Sequence, residues 1–155
     1  MLTPTPSSPQ AAAAAAATSQ NPSTAETGVG AAPLVLLVDD DQHTREGWAE
    51  FLVGSGYRVS EASDGPEALA KIASRRPDIV LVDLGIPRLD GWELTRRIKN
   101  TPAWQQIAVV AVSGLDYPET LERITAAGCD AFLGKPCEPA ALLAVIRGLL
   151  ARRAR

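Results

Sequence analysis

Four short apolar runs in this chain each end in a polar group of a different kind. Leu34-Val35-Leu36-Leu37-Val38 is followed by Asp39-Asp40-Asp41, Ile79-Val80-Leu81-Val82 by Asp83, the run from Ile107 to Val112 by Ser113-Gly114, and Asp130-Ala131-Phe132-Leu133 by Gly134-Lys135-Pro136. Short apolar runs rich in β-branched residues are the pattern of parallel strands buried on both faces. In an open α/β sheet, ligands bind outside the carboxyl ends of such strands. Carboxylates, a hydroxyl and an ammonium would therefore meet on one rim. Asp39, Asp40 and Asp83 at about 5 Å and an effective dielectric near 20 would repel by about 3 kcal/mol per pair. A divalent cation with a preference for hard oxygen ligands relieves this: Mg²⁺ fits, and Mn²⁺ is tolerated for the same reasons. Three carboxylates, one ammonium and one dication sum to zero charge, a setting that a phosphoryl group can enter. Phosphoryl transfer needs mainly positioning and charge stabilisation. With Asp39 and Asp40 holding the metal, Asp83 on the central strand is the expected nucleophile, forming an acyl phosphate. Ser113 and Lys135 would donate to its oxygens.

The elements that must carry these groups alternate along the chain. After the first strand, Trp48, Phe51 and Leu52 recur at helical spacing up to Gly54-Ser55-Gly56. Tyr57 to Ala62 is predicted as a second strand. Asp64-x-x-Glu67 and Asp90-x-x-Glu93 are capping-box signatures for two helices, the first with Leu69, Ile72 and Ala73 inward, the second with Leu94 and Ile98. Pro118 to Ala127 is a helix with Leu121 and Ile124 inward, and a last helix from Pro139 buries Leu142, Leu143, Ile146, Leu149 and Leu150. Five strand-helix repeats with short connections predict a doubly wound, five-stranded parallel α/β sheet covered by helices on both faces.

Composition excludes several alternatives. With 155 residues and 46% hydrophobic content the chain has material for one core. A net charge of −3, with no basic stripe before the last residues, gives no footprint for nucleic acid. No apolar run after the alanine tract approaches the roughly 18 residues of a membrane span. No Lys or Arg precedes Arg45, so a secretory leader is not expected and the cytoplasm is the default location. Residues 1–33, rich in Ala, Pro, Ser and Thr, are expected to be a disordered extension, leaving 34–155 as the folded domain. Cys129 and Cys137 lack metal-site spacing and are expected to remain reduced thiols, Cys137 as inert packing despite its place beside the lysine loop. Asp41 is expected to cap the first helix, His43 to be solvated surface, and Trp48, Trp92 and Trp104 to pack in or at the edge of the core. Arg152, Arg153 and Arg155 complement the negative end of the last helix.

Together, Val38-Asp39-Asp40, Asp83-x-x-x-Pro87-x-x-Asp90-Gly91, Val112-Ser113-Gly114 and Phe132-x-x-Lys135-Pro136 resemble the receiver domain of two-component response regulators, over about Leu34 to Arg153. Each motif alone is weak, but their order, with separations of 43 (Asp40 to Asp83), 30 (Asp83 to Ser113) and 22 (Ser113 to Lys135), makes a strong joint signal. The resemblance implies a flavodoxin-like sheet of order 2-1-3-4-5. It makes Asp83 the phosphoacceptor, with Mg²⁺ held directly by Asp40, Asp83 and the backbone carbonyl of Gly85, and by Asp39 mostly through water. It makes Ser113 and Phe132 a switch pair, Lys135 the phosphate contact, and the Lys135-Pro136 bond cis. Its partners would be a sensor histidine kinase or a histidine phosphotransfer protein upstream and an unidentified protein downstream, read through the face of the fourth helix, fifth strand and fifth helix, and phosphorylation could be linked to dimerisation. The chain would catalyse its own phosphorylation and slow dephosphorylation without being an enzyme on other substrates.

The sequence departs from the family pattern at three places. Phe132 has no hydroxyl, so its movement can be read only through packing. Gly85 and Leu115 stand where family members often carry polar side chains that orient a hydrolytic water, which predicts slow loss of phosphate. A small metal-dependent phosphohydrolase is the enzymatic alternative, but such enzymes typically need an acid two residues after the nucleophile, where this chain has Gly85. A stand-alone switch and a receiver excised from a larger hybrid kinase both remain open on the sequence.

Overall fold

The computed structural model describes residues 31–86, 88–114 and 118–153, with the side chains of 118–121 excepted. The expected disordered extension lies outside the described residues but for its last three, and so do Pro87, Leu115 and the Leu121 side chain. Within Pro33–Arg155, one compact unit, the elements run β1 (Leu34–Val38), α1 (Gln42–Gly54), β2 (Arg58–Ala62), α2 (Gly65–Ser74), β3 (Ile79–Asp83) and α3 (Gly91–Asn100). A 3₁₀ turn (Pro102–Trp104), β4 (Ala108–Ser113), α4 (Pro118–Ala127), β5 (Ala131–Gly134) and α5 (Pro139–Arg153) follow. The strands form one parallel sheet of order β2-β1-β3-β4-β5, as expected. Strand ends differ from the sequence reading by a residue: β3 and β4 extend to include Asp83 and Ser113 themselves. The ladder reaches the polar residues, because Asp83 pairs in register with Val112 and Ser113 with Gly134.

The two faces of the sheet are separated by strand periodicity. Leu36, Val38, Val80, Val82 and Val109 point to the face covered by Ala68 and Ile72 of α2 and Leu94 and Ile98 of α3. Val35, Leu37, Ile79, Leu81 and Val110 point the other way, onto Leu52 of α1 and Leu142, Ile146 and Leu149 of α5. Each fully buried Leu or Ile contributes about 1.5–3 kcal/mol, so the central strands are held from both sides. The inward stripe of α2 is Ala68 and Ile72, with Leu69 half-buried; Ala73, expected inward, is exposed. It lies one residue past Ile72, off the stripe that successive turns present to the sheet. On α5, Leu143 and Leu150 flank the buried stripe and are only half-buried.

Helix starts follow the carboxylates. Asp41, Asp64 and Asp90 are N-caps that accept from the backbone N–H of Thr44 (3.2 Å), Glu67 (2.8 Å) and Glu93 (2.9 Å). The two expected capping boxes do not close on their own caps. Glu67 accepts from the backbone of Ser63, one residue earlier, at 2.8 Å, and Glu93 turns outward to Arg96 and Arg97 at 3.0 and 3.3 Å. The Asp caps alone carry the starts of α2 and α3. No helix among the described residues is long and apolar enough to cross a membrane.

Gly91 joins fold to rim. A Cβ there would lie 2.7 Å from Leu84 Cα and 2.9 Å from Asp83 O, so only glycine lets α3 begin against the end of β3. Gly148, exposed in the interior of α5, has nothing within 4 Å of an added Cβ. Gly91→Ala is therefore expected to destabilise the fold by about 2–3 kcal/mol through overpacking, and Gly148→Ala to stabilise it by about 0.5–1 kcal/mol through backbone entropy. Urea titrations of both variants check this; equal effects of one sign would contradict it.

Candidate functional site

Four strand ends deliver their polar groups to one rim. Asp39 follows β1 and its backbone N–H donates to Ala62 O of β2 at 3.1 Å. Asp83 closes β3, Ser113 closes β4, and Lys135 follows β5, its backbone N–H donating to Ser113 O at 2.8 Å. That last bond ties the lysine and serine loops together. The Lys135-Pro136 peptide is cis, as the resemblance implied. Ser113 is buried (4% exposed). Phe132 is half-buried and packs on the cluster of Leu84, Trp92, Ala111, Ile124 and Ala127, which joins α3 to α4.

The carboxylates of Asp39, Asp40 and Asp83 each bring an oxygen within 4.8 Å of the others. Lys135 Nζ donates to Asp83 Oδ2 at 3.0 Å and lies 3.6 Å from Asp39 Oδ2. The remaining oxygens are partly committed: Asp83 Oδ1 accepts from Gly85 N at 2.9 Å, and Asp39 Oδ1 from Asp41 N at 2.9 Å. One ammonium against three carboxylates leaves two negative charges uncompensated. Asp39 bears the cost most visibly. Burial pushes its carboxyl above the ordinary aspartate range and the Asp83 and Asp40 charges push the same way, against the Asp41 N–H and Lys135. Burial by itself would lower the Lys135 ammonium, but its hydrogen bond to Asp83 and the charges of Asp83 and Asp39 outweigh that and hold its pKa above the usual lysine value. Hard carboxylate oxygens at this separation fit an octahedral dication such as Mg²⁺.

All four polar groups singled out by the sequence thus share the rim, with Asp83 in the middle. Gly85 lies exposed in the same loop. Asp41, as expected, faces α1 as a cap and stands outside the carboxylate cluster. Sequence reasoning missed two arginines. Arg45, on the first turns of α1, donates to the backbone carbonyl of Asp39 at 2.8 Å and pairs with Glu61 at 3.0 Å, anchoring the acid pair from behind. Its signal was a cation six residues after Asp39, which helical geometry turns back towards the strand end. Arg123 of α4 lies over the ring of Trp92, 4.1 Å from its centroid, a cation-π contact that spacing alone does not reveal.

The sequence matches the family model described as "Response regulator receiver domain" over residues 35–147. It is 43% identical over 101 residues to a gliding motility regulatory protein of Myxococcus xanthus, covering 65% of this chain and 13% of that protein. It is 41% identical over 120 residues to the response regulator MprA of Mycolicibacterium vanbaalenii, covering 76% of this chain and 50% of that one. The chain therefore spans half or less of the length of these curated relatives. Among solved structures, the receiver domain of a signal transduction histidine kinase from Syntrophus aciditrophicus superposes with a TM-score of 0.73 at 30% identity, covering 77% of this chain and 91% of that one. The Vibrio cholerae chemotaxis protein CheY4 superposes with a TM-score of 0.73 at 29% identity, covering 76% and 98%.

The burial of the Asp39 charge predicts that Asp39→Asn stabilises the metal-free protein at pH 7 by about 1–2 kcal/mol, since a neutral amide avoids the desolvation of a buried carboxylate and two like-charge contacts vanish, against one lost attraction to Lys135. A carboxyl whose pKa is raised by folding opposes folding once ionised. The gain should therefore shrink as the pH falls through the raised folded value towards the ordinary aspartate value. Thermal melts in EDTA at pH 7 and pH 4 test it; a variant less stable at pH 7 would contradict the account.

Proposed function

Because this chain belongs to the response regulator receiver domain family, we propose that it is a Mg²⁺-dependent phosphorelay switch in which Asp83 accepts a phosphoryl group from a phosphohistidine. The observation that carries the proposal is the shared rim: three carboxylates within 4.8 Å and Lys135 on Asp83 at 3.0 Å. Asp40, Asp83 and the Gly85 carbonyl would hold the ion, Asp39 mostly through water, and Mn²⁺ could replace Mg²⁺. When bound, the dication supplies charge neutralisation for an incoming phosphoryl group. The chain's own residues do the rest. One oxygen of Asp83 attacks phosphorus in line with the departing imidazole nitrogen, so that one P–N bond breaks as one P–O bond forms. Lys135 moves its donation from Asp83 Oδ2 to a phosphoryl oxygen, and the Ser113 hydroxyl donates to another.

The switch follows from packing. Movement of Ser113 towards the phosphate vacates space on β4, and Phe132 fills it from β5, where its strand neighbour is Ala111. The face of α4, β5 and α5 then changes shape, and a downstream protein reads it. The donor is a sensor histidine kinase or a histidine phosphotransfer protein in the cytoplasm, and phosphorylation could promote a dimer. Residues 34–155 are the receiver and 1–33 an extension from it. Gly85 carries no side chain to orient a hydrolytic water beside the acyl phosphate, so the phosphorylated form should be long-lived; Leu115, the other position of that reading, lies outside the described residues.

Incubation with acetyl phosphate and Mg²⁺ should add one phosphoryl group per chain by intact-protein mass spectrometry. Asp83→Asn and EDTA should each abolish the addition. Continuous turnover of acetyl phosphate would instead indicate a phosphohydrolase. After removal of the donor the phosphate should persist for minutes or longer, and a half-life of seconds would contradict the role given to Gly85.

A further inference from the structure

At the opposite end of the sheet, where the strands begin, cations gather. The end of α3, the turn before β4, the start of β5 and the end of α5 enclose an open basin of about 240 Å³. Lys99, Gln105, Gln106, Asp130, Arg152 and Arg153 supply its polar lining. We propose that this basin is a binding site for a phosphate monoester dianion.

Charge and donor supply carry the inference. Three cations line the basin; Asp130 in its lining and Asp78, paired with Arg153 behind it, offset two of them, which leaves a net charge of +1, that of Arg152, towards the dianion of a phosphate monoester. One oxygen of the lining carboxylate is engaged: Asp130 Oδ2 accepts from Lys99 Nζ at 2.8 Å and from the backbone N–H of Val109 at 2.8 Å. Lys99 also donates to Ile107 O at 2.8 Å, which fixes its ammonium at the wall with one N–H left. Its stem is held too, because Gly128, in the left-handed region at φ 96°, lets it pass 3.0 Å from where a Cβ would stand. Arg153 uses one terminal nitrogen on Asp78, donating to its carbonyl at 3.1 Å and its carboxylate at 3.3 Å. Its other guanidinium N–H groups remain for a ligand. Arg152 is exposed, and its side chain makes no ion pair or hydrogen bond among the described residues.

Cations at helix C-termini ordinarily complement a macrodipole, and each such end carries only about half a charge. The end of α5, where Arg152 lies, thus offsets about half of its charge. Pre-fixed ammonium and guanidinium groups in a concavity, beside two primary amides, also differ from solvated side chains on a convex helix end. Phosphate, with three acceptor oxygens, suits a lining in which donors outnumber free acceptors. The monoester could belong to a free nucleotide or to a phosphorylated side chain of a protein. The site lies away from Asp83, so it stands or falls separately from the phosphorelay reading.

The test is amide NMR of the full chain at low salt in EDTA, which removes metal from the acidic rim. The probes are phenyl phosphate, AMP and a hexapeptide carrying one phosphoserine. Saturable shifts should centre on Lys99, Gln105, Gln106, Arg152 and Arg153. Arg152→Gln should weaken binding by about fivefold, as expected for one lost charge-assisted hydrogen bond at a partly exposed site. Arg147→Gln, the same charge change at an exposed position on the same helix, should leave it within about twofold. AMP binding more tightly than the peptide would identify a nucleotide ligand, and the reverse a phosphoprotein; either supports the site. Shifts that do not saturate, shifts centred on Ser113 and Lys135, or equal weakening by the two variants would overturn it.

Discussion

Three carboxylates held within 4.8 Å of each other, with one ammonium among them, are the constraint on which this molecule turns. Nothing in the packing of the sheet requires Asp39, Asp40 and Asp83 to be acids. Their backbone positions are fixed by apolar strands that would fold as well with neutral residues at their ends. The cluster is therefore a cost to the fold, seen in the raised pKa of the Asp39 carboxyl. Lys135 lessens that cost without removing it. A site left two charges short of neutrality favours a dication, and once the dication is bound it no longer repels a phosphoryl group.

The rest of the structure serves to keep that imbalance in place. Parallel pairing of β1 with β3 and of β3 with β4 sets the strand ends at one level. Arg45 holds the carbonyl of Asp39, Gly91 lets α3 start against Asp83, and the Lys135 N–H binds the Ser113 carbonyl. Trp92 lies between Leu84, just past β3, and α4, with Arg123 over its ring and Phe132 in the same cluster. A rearrangement at the rim thus has a packed route to α4 and β5. The far rim has the opposite character: its two acids, Asp78 and Asp130, are tied to strand N–H groups at Leu34 and Val109, each at 2.8 Å, while arginines and Lys99 surround them.

Much of this was legible in the amino-acid order. Apolar runs of three to six residues, each followed by a polar group, give both the parallel sheet and the shared rim, because strand ends in a doubly wound sheet have only one place to meet. Asp41, Asp64 and Asp90 were readable as caps for the same local reason. The destinations of Glu67 and Glu93 were not: a spacing of three residues allows a capping box, but a competing acceptor or donor nearby decides whether it closes. Ala73 was misplaced because small residues carry little phase information on a helix. The Arg45 and Arg123 contacts and the far basin depend on distances between elements remote in sequence, which no local pattern encodes.

The central claim is that the crowding of the acids is relieved when a dication and a phosphoryl-like group divide the charge between them. A crystal structure of the chain with Mg²⁺ and beryllofluoride tests this most directly. The account predicts one ion shared by Asp40 and Asp83, a fluoroberyllate on the Asp83 carboxylate, and Lys135 Nζ transferred from Asp83 Oδ2 to a fluorine atom. A structure in which Lys135 still rests on Asp83, with no metal between the carboxylates at saturating Mg²⁺, would contradict it.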